Sequence, residues 1–253
     1  MTSTPLDIPE ALVDAIRSAR SIGVITGAGI SVASGIAPYR GKGGVYDDPE
    51  EGDRTVEALS GPTLRNDPDR TWRALAKLAL MAKDAKPNPG HQALVELEQR
   101  VDRFVLLTQN VDGLHEAAGS QNIIDIHGSM SRVYCMGCGD PAPVPDWTTL
   151  VQAPECAECH GVLRPDVVLF EEMLPEEKVR RMYEELLQDV PEAVIAVGTT
   201  AMFPYILEPI QIARSLGITT LEVNPEHTAL SSIVEHHLQA GADVALPALV
   251  AAL

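Results

Sequence analysis

Apolar residues fall along this chain in two rhythms. Ser21-Ile22-Gly23-Val24-Ile25-Thr26, Phe104-Val105-Leu106-Leu107-Thr108, Ile123-Ile124-Asp125-Ile126, Val167-Val168-Leu169-Phe170, Ala193-Val194-Ile195-Ala196-Val197 and Ile218-Thr219-Thr220-Leu221-Glu222-Val223 are short, nearly continuous apolar runs. Strands buried on both faces of a parallel sheet have this character. Elsewhere apolar positions recur at three- and four-residue intervals: Leu12, Ala15, Ile16 and Ala19 in 9–20, then Trp72, Leu75, Ala76, Leu78 and Ala79 in 68–83. These predict helices, with Pro9 suited to a first turn and Asp67 to an N-cap. Further helical stretches fall at 91–100, 175–189 and 205–216. Strands alternating with helices predict a parallel sheet covered on both faces. Residues 41–67, rich in Gly, Asp, Glu and Pro, read as a long loop of the kind that serves function or moves.

Composition narrows the picture. At 253 residues and 45% hydrophobic content the chain can bury a sizeable core, as one large domain or a main domain with an insertion. No apolar run approaches the roughly 18 residues of a membrane span, so no membrane partner is expected. A net charge of −17 argues against nucleic acid and fits a basic protein or peptide better, although acidity also serves solubility. Met1 to Glu10 has neither the basic start nor the apolar core of a secretory signal, which predicts a cytoplasmic protein.

Two local patterns carry chemistry. The first strand runs into Gly27-Ala28-Gly29-Ile30-Ser31, small residues that let backbone N–H groups approach a phosphate at a helix start. The third glycine of a full dinucleotide fingerprint would fall at Val32, and no second strand carries a ribose-binding acid about 20 residues later. That weakens an ordinary dehydrogenase reading, and on these residues alone a tight turn without a ligand stays open. The second pattern is Cys135-Met136-Gly137-Cys138 followed, after seventeen residues, by Cys156-Ala157-Glu158-Cys159. Paired Cys-x-x-Cys turns can set four thiolates around Zn²⁺ with no position left for catalysis; two disulfides are the rival reading, disfavoured in a cytoplasmic protein. Pro141-Ala142-Pro143-Val144-Pro145 lies between the pairs, and a module so poor in apolar residues needs the metal to fold.

Thr108-Gln109-Asn110-Val111-Asp112-Gly113-Leu114-His115, Ile124-Asp125-Ile126-His127-Gly128 and Val197-Gly198-Thr199-Thr200 complete a set that includes the glycine turn, Tyr39-Arg40 and the paired cysteines. In this order, from about Ile22 to Ala242, the chain resembles the sirtuins, NAD-dependent protein lysine deacylases. The resemblance implies an α/β fold with a Rossmann-like parallel sheet and a small zinc-ribbon insertion. It implies an NAD-binding domain from 1–36, 91–128 and 166–253, a cofactor loop and helical part in 37–90, and a zinc-binding module in 129–165. By the same resemblance Gly27, Ala28, Gly29, Ile30 and Ser31 cradle the NAD phosphates, and Tyr39-Arg40 lies over the nicotinamide riboside. Gln109, Asn110 and Asp112 hold the ribose and carboxamide, with Asn110 and Asp112 also counted with the catalytic set. Gly198, Thr199 and Thr200 form a second dinucleotide turn, Asn224, Pro225 and Glu226 serve the adenosine side, and Ala242 makes a last adenine contact. His127 matches the histidine that takes a proton from a ribose hydroxyl, a role suited to an imidazole with a pKa near 6.5. The implied partner is an acylated-lysine protein or peptide. ADP-ribosyl transfer to protein, or NAD hydrolysis, is the alternative on the same fold.

Two departures stand out. Val168, Leu169 and Phe170 match the strand that pairs with substrate peptide, but Glu171 stands where the family has Gly. That puts the usual peptide register in doubt, while Glu171 and Glu172 together favour a basic peptide. Relatives that remove succinyl or malonyl groups carry Tyr-x-x-Arg at the positions of Leu75 and Leu78, so the resemblance implies neutral acyl groups here. Both leucines could equally serve as ordinary core residues of an amphipathic helix.

Overall fold

The computed structural model describes residues 6–38, 44 and 48–253. Among these the strands are β1 (Ser21–Thr26), β2 (Arg103–Thr108), β3 (Ile123–Asp125), β4 (Gly128–Cys135), β5 (Pro141–Ala142), β6 (Leu163–Val167), β7 (Ala193–Val197), β8 (Thr219–Val223) and β9 (His236–Leu238). The helices are α1 (Glu10–Ser18), α2 (Pro49–Ala58), α3 (Gly61–Asn66), α4 (Pro68–Met81), α5 (Pro89–Glu98), α6 (Leu114–Ala118), α7 (Glu176–Met182), α8 (Pro204–Ser215) and α9 (Ala242–Ala252).

Six strands pair in the order β3-β2-β1-β7-β8-β9, all parallel. Thr26 is in register with Thr108 and with Val197, and Val197 with Val223, so four strands end at one level. The loops that follow them emerge along a single edge. Between β1 and β7 the sheet reverses its direction of growth, the place where open α/β sheets take their ligands. Each face has its own core. Ile22 and Val24 of β1 pack with Leu94 of α5 and Leu246 of α9; Ile25 faces the other way, with Leu186 and Ile206. Fully burying each such side chain contributes about 1.5–3 kcal/mol, which sets the register and the level of the strand ends.

The second sheet, β5-β4-β6, is antiparallel and small. Its core is shared with α3 and α4: Trp72 is fully buried beside Leu75, Val133 and Leu163, donates its indole N–H to the Leu163 carbonyl at 2.8 Å, and stacks on Trp147. β4 begins at Gly128, whose φ is +87° and where a Cβ would stand 1.9 Å from the Asp166 carbonyl oxygen. Only glycine permits that crossing.

Three expectations are corrected. The 41–67 stretch holds two helices, because residues read as breakers are start signals: Asp48 caps α2, whose first turn contains Pro49, and Ser60 caps α3, whose first turn contains Pro62. The run Val167–Phe170 is not a parallel strand. β6 ends at Val167 in the small sheet, and beyond it only an isolated parallel bridge links Phe170 to Ser60, the Phe170 N–H donating to the Leu59 carbonyl and the Phe170 carbonyl accepting from Gly61 N–H. The helix at 175–189 changes winding, α-helical to Met182 and π-helical over Tyr183–Gln188. Asp67 does cap α4, accepting from the Arg70 N–H at 3.1 Å.

Candidate active site

The edge formed by the strand ends gathers most of the residues singled out by sequence. After Thr26 the chain turns at Gly27 into a short 3-10 helix, Ala28–Ser34. This turn interlocks with the one after β7. Gly27 N–H donates to the Val197 carbonyl at 3.0 Å and Gly29 N–H to the Gly198 carbonyl at 2.9 Å. A Cβ on Gly29 would lie 2.6 Å from the Gly198 Cα, and one on Gly198, at φ +57°, 2.5 Å from the Gly29 carbonyl carbon. Two bare backbones therefore meet at the switch point.

The turn after β2 closes over them. The Gln109 amide donates to the Thr26 carbonyl and the Thr199 hydroxyl, at 3.1 and 2.9 Å. Asn110 is buried and donates to the Gly27 carbonyl at 3.1 Å and the Ser31 hydroxyl at 3.3 Å, while the Ser31 hydroxyl donates to Asp112 at 2.7 Å. The other Asp112 oxygen accepts from Leu114 N–H at 2.9 Å, so this carboxylate also starts α6. Beneath Asn110, Thr108 accepts its backbone N–H at 3.1 Å, and Thr26 joins Thr108 to the His115 ring. Burial holds the His115 pKa down at about 3 and that of its neighbour His91 below the usual value. The His115 ring stays neutral under the cradle.

His127 sits where β3 hands over to β4. Its Nδ1 lies 2.9 Å from the Gln109 carbonyl oxygen and its Nε2 2.7 Å from the Tyr205 hydroxyl. Burial lowers its pKa, the Gln109 carbonyl opposes that shift, and the Lys178 charge adds to it. Its own carbonyl accepts from Val168 N–H at 2.9 Å, tying the Val168–Phe170 segment to the imidazole's backbone.

That segment is built firmly. Glu172 takes both guanidinium nitrogens of Arg164, at 2.7 and 2.8 Å, and accepts from Leu169 N–H at 3.0 Å. The guanidinium beside it holds the Glu172 carboxyl below the usual range against the opposing effect of burial. Of the two adjacent carboxylates, Glu172 is committed inward and only Glu171 is exposed, with φ at +65°.

The remaining positions divide. Asn224 reaches the Thr199 carbonyl at 3.5 Å and accepts from Glu226 N–H, while Thr200, Pro225 and Glu226 are exposed at the same edge. The backbone of Ala242 approaches Gly90, where a Cβ would lie 3.0 Å from it. Ala28 is half-buried and Ile30 belongs to the core. Leu75 is buried and Leu78 half-buried in the apolar cluster that also holds Leu169 and Phe170. Tyr39 and Arg40 lie outside the described residues.

Sequence reading missed two groups. Asn88 donates to the Ile30 carbonyl at 2.7 Å and to Ser34 at 2.9 Å, bracing the glycine turn from a segment read only as a breaker. Tyr205 carries no motif, and only its place after the Gly198 turn hints at a role.

The four cysteines converge. Their sulfurs all lie within 4.8 Å of one another, Cys135 to Cys159 at 3.4 Å and Cys138 to Cys156 at 3.8 Å, and none is in a disulfide. A tetrahedral ion with Zn–S bonds of about 2.3 Å needs sulfurs roughly 3.8 Å apart, so the set fits zinc. The edge likewise fits a dinucleotide: bare backbone for a diphosphate, with two amides, a hydroxyl and a carboxylate for sugar hydroxyls and a carboxamide.

Comparison with known proteins agrees with this geometry. The sequence model of the Sir2 family matches residues 27–203. The NAD-dependent protein deacylase 2 of Pseudomonas aeruginosa is 47% identical over 228 residues, covering 88% of this chain and 89% of that protein. A solved variant of a Sir2 homologue in complex with ADP-ribose superposes with a TM-score of 0.87 at 33% identity, over 97% of this chain and 96% of the other. A Sir2 structure with a deacetylated p53 peptide and 3'-O-acetyl-ADP-ribose superposes with a TM-score of 0.84 at 26% identity, over 96% of this chain and 97% of the other. By sequence, fold and the convergence of its polar and cysteine sites, the chain belongs to the Sir2 family.

Proposed function

We infer that the protein is an NAD-dependent protein lysine deacylase that transfers an acyl group from lysine to ADP-ribose and releases nicotinamide. The observation that carries this reading is the place of His127, an imidazole bonded through its backbone to Val168 and through its ring to the turn that bears Asn110. It joins the two surfaces, one for peptide and one for dinucleotide. When bound, NAD supplies an electrophilic ribose carbon and a leaving group, toward which the acyl-lysine carbonyl oxygen has only to be held.

The protein's own residues supply position and one base. Gly27, Gly29 and Gly198 give bare backbone against the diphosphate, and Asn110, Asp112 and Ser31, already bonded to one another, orient the sugar and carboxamide without reorganisation. Gln109 fixes the imidazole through Nδ1, and His127 takes the proton from a ribose hydroxyl. Thr199 and Thr200 continue the second dinucleotide turn that starts at Gly198, and Asn224, Pro225, Glu226 and Ala242 line the adenosine side. Cys135, Cys138, Cys156 and Cys159 hold a structural zinc that keeps β4 and β6, and so the Val168–Glu171 segment, in place. The acylated peptide lies along that segment, with Glu171 toward its basic residues. Leu75 and Leu78, in an apolar cluster with Leu169 and Phe170, favour a neutral acyl group; Lys77 on the same helix is exposed and paired with Glu51. We divide the chain into an NAD-binding domain (1–36, 91–128, 166–253), a helical part (37–90) and a zinc module (129–165), the last two sharing one apolar cluster that also takes in Leu169 and Phe170.

The test is incubation with NAD and a panel of acylated peptides, followed by mass spectrometry. O-acyl-ADP-ribose with released nicotinamide is expected. ADP-ribosylated protein, or free ADP-ribose alone, would replace this reading with the transferase or hydrolase one.

A further inference from the structure

Both ring nitrogens of His127 are engaged. The Gln109 carbonyl oxygen can only accept, so the Nδ1 facing it carries the ring proton. In the neutral ring Nε2 is then the nitrogen with the free electron pair, and the Tyr205 hydroxyl 2.7 Å away is its donor. Burial pushes the Tyr205 pKa up to about 12, so the hydroxyl keeps its proton throughout the neutral range. The contact is built in. Phe203 stacks on Tyr205 with ring centroids 5.4 Å apart and planes at 14°, and both rings meet the imidazole edge-on, at 5.9 and 6.2 Å. Tyr205 comes from the first turn of α8, between β7 and β8 and so on the far side of the switch point from β3.

We propose that Tyr205 is a positioning residue, donating its hydroxyl to the Nε2 electron pair of His127 and yielding that nitrogen to a ribose hydroxyl when the dinucleotide enters. The proposal rests on the deacylase reading for the identity of the incoming hydroxyl. A tyrosine hydroxyl and a sugar hydroxyl offer the same donor to the same nitrogen. The exchange therefore keeps one hydrogen bond on Nε2, and the ring need not turn or change tautomer. No proton leaves Tyr205. In the chemical step the sugar O–H bond breaks, its electron pair stays on the sugar oxygen, and the proton joins Nε2; the imidazolium charge is shared with the Gln109 carbonyl through Nδ1–H.

The groups facing His127 set the direction of the test. Gln109 at the end of β2 favours the charged ring; Lys178 on α7 opposes it, itself tied to the Asp125 side chain and carbonyl at 2.9 Å, with Arg132 of β4 on the same carboxylate. Tyr205 adds a bond that only the neutral ring can accept. Tyr205→Phe removes that bond and keeps the ring stack and its burial. His127 should then protonate more readily, its pKa rising by about half a unit to one unit, the worth of one hydrogen bond.

The measurement is an NMR titration of the His127 ring in ligand-free wild type and Tyr205→Phe, alongside calorimetric binding of ADP-ribose. We expect the upward shift, tighter ADP-ribose binding because no donor has to be displaced, and an acid limb of kcat/KM that moves up with the ring. Superimposable titrations would overturn the proposal, as would a Tyr205→Phe protein indistinguishable from wild type while Tyr205→Ala loses activity, the mark of packing alone. The two readings fail separately: shifted titrations with no O-acyl-ADP-ribose from wild type would refute the deacylase reading and leave the contact standing.

Discussion

Replacing Glu171 by glycine should stabilise the protein. Glu171 is held with φ at +65° because its neighbours fix the chain on either side: Phe170 is bonded to Leu59 and Gly61, and Glu172 N–H donates to the Leu169 carbonyl at 3.1 Å. An L-residue with a Cβ pays about 1–2 kcal/mol in that region. Glycine removes the penalty but loses about 0.5–1 kcal/mol more conformational entropy on folding, so the net gain is about 0.5–1 kcal/mol. The side chain is exposed, so no core packing is lost. At about 2–4 °C per kcal/mol for a chain near this size, Tm rises by about 1–4 °C. Relief of net charge, from −17 to −16, is the competing cause, and Glu171→Ala isolates it by removing the carboxylate and keeping the Cβ. Thermal and urea unfolding of the three proteins decide between them. If the alanine variant matches the glycine variant, the conformational argument is wrong and charge explains the gain.

His127→Ala should abolish formation of O-acyl-ADP-ribose and leave ADP-ribose affinity within a few-fold of wild type; turnover near wild type would remove its role as base. Metal analysis of protein purified without added zinc should give one Zn²⁺ per chain, and a chelator strong enough to strip it should melt the β4–β6 sheet and activity together; full activity in metal-free protein would refute the structural role. On a single peptide, acetyl- and butyryl-lysine should give higher kcat/KM than succinyl-lysine, because a carboxylate set against Leu75 and Leu78 finds no cation there; faster succinyl turnover would show that one reaches it. The buried His115, with a pKa near 3 against about 6.5 unfolded, takes up a proton only on unfolding in between, so its stabilising effect is complete above pH 6.5 and is lost as the pH falls. Urea titrations should lose about 2 kcal/mol between pH 7 and 5, and a flat profile would contradict a neutral, buried ring.

The parallel sheet was legible because its strands are buried on both faces and leave uninterrupted apolar runs, of which Ala193–Val197 is the clearest. The cysteine module was legible from spacing alone, since four thiolates converge in few other ways. What stayed hidden lacked either signal. Asp48-Pro49 and Ser60-Gly61-Pro62 read as breaks because Pro and Gly mark both the start of a helix and a loop, and only Asp48 and Ser60 accepting first-turn N–H groups decides between them. β9, three residues long and containing His236 and His237, has too little apolar periodicity to register. In the candidate site, Asn110 and Asp112 stood out by motif, whereas Asn88 and Tyr205 act through contacts between residues far apart in sequence. Asn88 reaches back 58 positions to Ile30, and Tyr205 reaches 78 to His127.

The interlock of Gly29 with Gly198 has a bearing on how the protein is made. These residues lie 169 positions apart (198 − 29), and closing a loop of that length costs about 4–5 kcal/mol of chain entropy before any contact between them forms. β1 and β2 can pair early in synthesis, and Asn88 and Asn110 can brace the glycine turn, yet its partner turn at Gly198 is missing until β7 has emerged. At about 5–20 residues per second, a growing chain spends many seconds with its first half translated and no cradle. A product truncated before β7 therefore cannot compete for the dinucleotide, and binding competence arrives late, almost with the last strand.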